Sequence, residues 1–118
     1  MIASFINDAM DARADLVDAK HATAFRLFNG FTEGLSELAL DIYATALVIN
    51  DYSDPPDESF GSQVMELVCA RWPWVTSVIL KRRQADDRDT RNGIILLGTE
   101  ADLPRNIREN GVVYAINL

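Results

Sequence analysis

Cysteine and histidine are almost missing from this sequence, which holds one of each, Cys69 and His21. A single cysteine forbids an intrachain disulfide and fits a reducing, cytoplasmic compartment. Cys69 falls inside an apolar helical pattern and reads as an inert core residue. A lone histidine with no cysteine or second histidine beside it cannot assemble a zinc site. His21 reads as a solvated loop residue between a helix and a strand. Long apolar runs are missing as well. Nothing approaches the roughly 18 residues of a membrane span, and Met1-Ile2-Ala3-Ser4 lacks the basic start of a signal peptide. Basic residues are the minority: 11 Lys and Arg stand against 18 Asp and Glu, a formal net charge of −7. That balance argues against a stand-alone protein that grips nucleic acid with its whole surface, and leaves room for a local basic cluster. Asp51, Asp54, Asp57 and Glu58 lack the central glycine and closing glutamate of a calcium loop, and read as a proline-stiffened surface loop.

What is present suits one folded domain. Of 118 residues, 48% are hydrophobic, and they fall in periodic runs long enough to build a core. Ile2, Phe5, Ile6, Ala9, Met10, Leu16 and Val17 predict an amphipathic helix over 2–19, with Asp8, Asp11, Asp15 and Asp18 on its other side. Such a helix packs on its own sheet or docks on a neighbouring domain. Residues 24–29 read as a strand that ends at a turn bracketed by Gly30 and Gly34. Residues 37–50 read as one long strand or as a hairpin turning at Ala44-Thr45. Pro55-Pro56 marks a loop over 51–58. Asp57 or Ser59 is placed to cap a helix that runs to Arg71 or Trp72 and stops at Pro73. Strands follow at 75–80 and 93–98, separated by a charged loop over 81–92. A turn at Asp102-Leu103-Pro104 precedes a hairpin over 107–116, whose Asn110-Gly111 pair demands a type I′ turn. The sum is an α+β fold: an N-terminal helix followed by a mostly antiparallel sheet with one covering helix.

No catalytic, cofactor-binding or metal-binding set emerges from these residues. The Gly30–Gly34 segment has the wrong spacing for a nucleotide loop and precedes a strand rather than a helix. Lys81, Arg82, Arg83, Arg88 and Arg91 form the one basic cluster. Its arginine forks suit phosphate geometry, although Asp86, Asp87 and Asp89 stand ready to neutralise it. RNA contact and a self-compensated surface loop both remain open. Trp72 and Trp74, around Pro73, either stack on a base or pack into the core.

Arg26, Leu27, Gly30, Gly34, Leu35, Leu38, Asp41 and Tyr43 follow an order that resembles one enzyme family. It is the class I S-adenosylmethionine-dependent methyltransferases of the ribosomal-RNA large-subunit cytosine-C5 type. Ile107-Arg108-Glu109-Asn110-Gly111 through Leu118 is similar to the family's hairpin that enters the catalytic domain. Ser36 replaces a usual proline, Ile42 replaces a usual arginine, and no RNA-binding PUA domain precedes the match. The resemblance implies a strand-strand-helix-strand-strand accessory domain over 23–118, led by a helix and connector over 1–22. It implies a catalytic Rossmann-like domain beyond Leu118. S-adenosylmethionine would then belong to the parent enzyme, with no cofactor in this chain. The implied partners are ribosomal RNA, met through Arg26, Lys81, Arg82, Arg83, Arg88 and Arg91, and the catalytic domain, joined at the C-terminal hairpin. No membrane is implied. The alternative is a stand-alone interaction domain that forms a homodimer through an unpaired strand and has no RNA role.

Overall fold

The computed structural model describes residues 2–54 and 59–118, apart from the Asp89 side chain. Helix α1 (Ile2–Ala12) is followed by strand β1 (Ala24–Asn29), a one-turn helix α2 (Gly30–Glu33), and strands β2 (Leu38–Tyr43) and β3 (Ala46–Asp51). Helix α3 (Phe60–Arg71), β4 (Ser77–Arg82), a short helix α4 (Arg88–Asn92), β5 (Ile94–Leu97), β6 (Asn106–Glu109) and β7 (Val112–Ala115) complete the order. The first five strands form one sheet in the order β1-β2-β3-β4-β5. Neighbours are antiparallel except β3 and β4, which run parallel. Parallel neighbours need a crossover connection, and α3 supplies it. The expected α+β architecture is therefore the one adopted.

Strand side chains alternate between two faces. Leu38, Leu40 and Ile42 of β2, Leu47 and Ile49 of β3, and Val78 and Leu80 of β4 form one buried face. Ile6 and Met10 of α1 and Val64 and Val68 of α3 pack into it. The N-terminal helix thus packs on its own sheet, beside α3. Cys69 is half-buried against this core, where burial pushes its thiol pKa up, as an unreactive packing residue requires.

Several local expectations need correction. The first helix ends at Ala12 instead of running to 19, because Arg13 leaves it to form a two-pronged bond with Glu33, 2.8 Å at each prong. Ala14–Leu16 is a 3₁₀ turn, and the Asp18 carboxylate accepts from the Ala22 and Thr23 N–H groups, bending the chain into β1. His21 is only partly open to solvent: its ring lies 4.4 Å from that of Trp74 with the planes 8° apart. Trp74 stacks in turn on buried Trp72, which meets Phe25 edge-on. The tryptophans pack inward and are not a platform for bases.

The Gly30–Gly34 segment is the single helical turn α2. Gly34 closes it at φ +101°, in the left-handed region, with its N–H on the Gly30 carbonyl. Residues 37–50 are the hairpin, turning at Ala44 (φ 54°). Ser59 precedes α3 without a side-chain cap. Asp57, the other expected cap, lies outside the described residues with Pro55, Pro56 and Glu58. Asp51, expected in that loop, is buried at the end of β3.

β4 begins and ends two residues later than its β-branched composition predicts. Its ladder with β3 continues through Asn50↔Lys81 and Asp51↔Arg82, and the Arg83 N–H reaches the Asp51 carbonyl at 2.8 Å. Lys81 and Arg82 are therefore strand residues, and α4 occupies the end of the expected loop. The Asp87 carboxylate accepts from the Thr90 N–H and hydroxyl, which organises that helical turn. β6 and β7 form a separate two-stranded sheet turning at Asn110 (φ 53°) and Gly111 (φ 78°), the expected type I′ geometry. The Arg108 N–H anchors it to the Ala22 carbonyl at 2.8 Å.

Candidate nucleic-acid interface

The sheet face turned away from the core formed with α1 and α3 carries a group of polar side chains among Ala39, Val48 and Ile79. Asp41 and Tyr43 come from β2, Asn50 from β3 and Lys81 from β4. Arg26 of β1 donates to Asp41 through Nε at 2.7 Å and through Nη2 at 3.1 Å. Asn50 Nδ2 donates to the same carboxylate at 3.1 Å, and Asn50 Oδ1 accepts from Arg83 Nε at 3.0 Å. An unbroken polar chain, Arg26–Asp41–Asn50–Arg83, therefore crosses three strands and the end of a fourth. Bonding to Asp41 holds the Arg26 guanidinium above its ordinary pKa. Lys81 is held below its own by burial and by neighbouring Arg83.

Asp41, Tyr43, Asn50, Lys81 and Arg83 line a recess of about 240 Å³ together with Val48, Ile116, Asn117 and Leu118. Of the basic residues singled out from the sequence, Lys81 and Arg83 line it, and Arg26 is tied to it only through Asp41. Arg82 alternates to the opposite side of β4, with its Nε buried. Arg88 and Arg91 are exposed on α4. None of these three lines the recess. Among the described residues, Asp41 from β2 is the carboxylate that lines the recess; Asp87 bonds to Thr90 in the turn of α4, and the Asp89 side chain lies outside the described residues. Asp41 and Asn50 escaped notice as site residues. No period-2 polar run marks them, because Ala39, Val48 and Ile79 share their face, and only the register brings them together.

Position 42 contributes nothing to this face, because Ile42 points into the core and is 1% exposed. Among the described residues, no three His, Cys, Asp or Glu side chains gather as a metal-ligand set. None of the helices among them is long and apolar enough to cross a membrane.

No family model matches the chain. Over 115 residues, 98% of its length, it is 30% identical to a Bacillus subtilis (strain 168) protein named "Putative ribosomal RNA large subunit methyltransferase YwbD". The chain spans 29% of the length of that curated relative. Among solved structures, "A putative sam-dependent methyltransferase from Streptococcus mutans" shares the fold at a TM-score of 0.67 and 20% identity, over 95% of this chain and 28% of that one. The structure of SMU.776, "a putative methyltransferase complexed with SAH", matches with the same TM-score, identity and coverage.

Proposed function

We propose that this chain is the non-catalytic accessory module of an S-adenosylmethionine-dependent ribosomal-RNA methyltransferase of the cytosine-C5 type. The module lies before the catalytic domain and helps to position the RNA. The observation that carries this reading is one of proportion: 98% of the chain aligns with a relative of which it covers only 29%. Residues 23–118 are the accessory domain and residues 1–22 its helical lead-in. S-adenosylmethionine is held elsewhere in the parent enzyme, because the residues here do not suit it. Dinucleotide-type sites need a glycine-rich turn between a strand and a helix at the edge of a parallel sheet. Here the Gly30–Gly34 turn joins antiparallel strands, and the turn leaving β3 opens with Tyr52 and Ser53. The hairpin from Ile107 to Leu118 is the joint with the catalytic domain. Val112, Val113 and Tyr114 keep about half their surface open there, as a docking surface requires. Arg26, Lys81, Arg82, Arg83, Arg88 and Arg91 are the candidates for RNA contact, in the cytoplasm where ribosomes are modified.

Calorimetric titration of the chain with S-adenosylmethionine tests the accessory role. No binding heat is expected, and stoichiometric uptake would overturn the reading. The reading frame past codon 118 supplies a second check, with a cofactor-binding domain expected. The second reading is a stand-alone interaction domain that pairs with another copy of itself. It draws on Ile94, Ile95 and Leu97, which leave about two-fifths of their surface exposed on edge strand β5. A stop codon after Leu118 together with a dimeric mass in light scattering would favour it.

A further inference from the structure

We infer that the recess between Lys81 and Arg83 seats one backbone phosphate of single-stranded RNA, and that these two residues, not the whole basic cluster, make the contact. The inference rests on the RNA-positioning role proposed above.

Lys81 is half-buried and makes no hydrogen bond or ion pair among the described residues. Asp41 favours the Lys81 cation from across the recess but does not bond to it, so an ammonium beside a second cation keeps its donors for an incoming negative charge. Arg83 is fixed at two points: Nε on Asn50 Oδ1 at 3.0 Å and its backbone N–H on the Asp51 carbonyl at 2.8 Å. That leaves its terminal nitrogens to meet phosphate oxygens, which guanidinium groups bind with directional, charge-assisted bonds. Asp41 is the one acidic side chain lining the recess. Both of its oxygens already accept bonds, from Arg26 on each and from Asn50 on the second. It is therefore compensated, and the local charge of Arg26, Asp41, Lys81 and Arg83 stays positive. Burial and Arg83 depress the Lys81 pKa, and a bound phosphate would relieve that strain.

Size and surroundings narrow the ligand. At about 240 Å³ the recess falls below the roughly 300–1,000 Å³ of sites that enclose whole small molecules. It has room for a phosphate and part of its nucleoside. Tyr43 borders the same recess, and an aromatic beside a cationic groove is the usual device for an unpaired strand. Arg82, Arg88 and Arg91 stand outside it.

The test is fluorescence anisotropy of the 118-residue chain with a labelled oligouridylate over a range of salt. One phosphate neutralised on a single strand predicts a slope of log K against log salt of about −0.7. Lys81→Gln or Arg83→Gln should each make the slope shallower, and the double variant should flatten it. Arg88→Gln with Arg91→Gln should leave it unchanged. Flattening by that second pair, or an unaltered slope in the first, would overturn the inference. Amide NMR with inorganic phosphate at matched ionic strength separates the two levels of the argument. Movement confined to Asn50, Lys81 and Arg83 is expected. RNA binding with those amides silent refutes the seat and leaves the RNA role standing. Moving amides without RNA binding refute RNA as the occupant and, with it, the proposed role.

Discussion

The carboxamide of Asn50, 3% exposed in the third strand, joins side chains from four parts of the sequence into one set. It donates to Asp41, which holds Arg26, and accepts from Arg83. Removing it leaves half-buried Asp41 short of a bond, whereas exposed Arg83 can turn to water. An unmade bond to a sheltered group costs about 1–3 kcal/mol. Asn50→Ala should therefore lower the urea midpoint by the equivalent of about 2 kcal/mol, with the dependence on denaturant unchanged. None of this pairing was visible in the linear sequence, where Asp41 and Asn50 are ordinary polar residues nine positions apart. Only the β2–β3 register puts them on the same face. Glu33 makes a second residue-level prediction. Burial alone would raise its pKa, but the two-pronged bond from Arg13 and the Asn29 N–H at 2.7 Å outweigh burial and lower it. A carboxylate depressed in the folded state contributes stability above its unfolded pKa, about 4.3, and loses it as pH falls through the lower folded value. Glu33→Gln should remove this contribution and flatten the acid limb of a stability-versus-pH curve below about pH 4.3. An unaltered limb would show that the Arg13 bond does not distinguish folded from unfolded chain.

Elements whose pattern and punctuation agree fold where the sequence places them. β1, β5, the Asn110–Gly111 hairpin and the Pro73 end of α3 are examples, each bounded by a residue with a fixed backbone preference. Boundaries set by partners could not be read. α1 stops early because Arg13 finds Glu33, 20 residues away. β4 runs on through charged residues because β3 offers it a ladder, and strand propensity yields to pairing. The Gly30 turn lies between these cases. The sequence marks Gly30 as one side of a turn, and its decisive property is size. A Cβ at Gly30 would run into the carbonyl oxygens of Leu35 and Leu38, both main-chain atoms that cannot rotate away. Gly30→Ala should therefore cost more than about 3 kcal/mol, at the severe end for a single methyl group. It should appear as loss of cooperative unfolding in circular dichroism. Gly34→Ala should be milder: its φ of +101° is unfavourable, but the nearest clash is with the Phe5 ring, a side chain that can move.

At the scale of the whole molecule, the local and global charges oppose each other. The recess is cationic, whereas the chain carries a formal −7 on a body measuring 41 × 30 × 23 Å. Salt decides which of the two an approaching RNA feels. At about 0.01 M the screening length is about 30 Å, comparable to the molecule, so remote carboxylates repel the strand while the recess attracts it. At about 0.15 M it shrinks to about 8 Å, and only the groups lining the recess still act. Asp8 and Asp15 are exposed on and just after α1, across the sheet from Lys81 and Arg83. Neutralising both, as Asp8→Asn with Asp15→Asn, should tighten oligouridylate binding several-fold at about 0.01 M and leave it unchanged at about 0.15 M. The apparent salt slope of this variant should be steeper than that of the parent chain. Equal tightening at both salts would mean that these aspartates act by contact, which would place the strand on the helical side of the sheet and away from the recess.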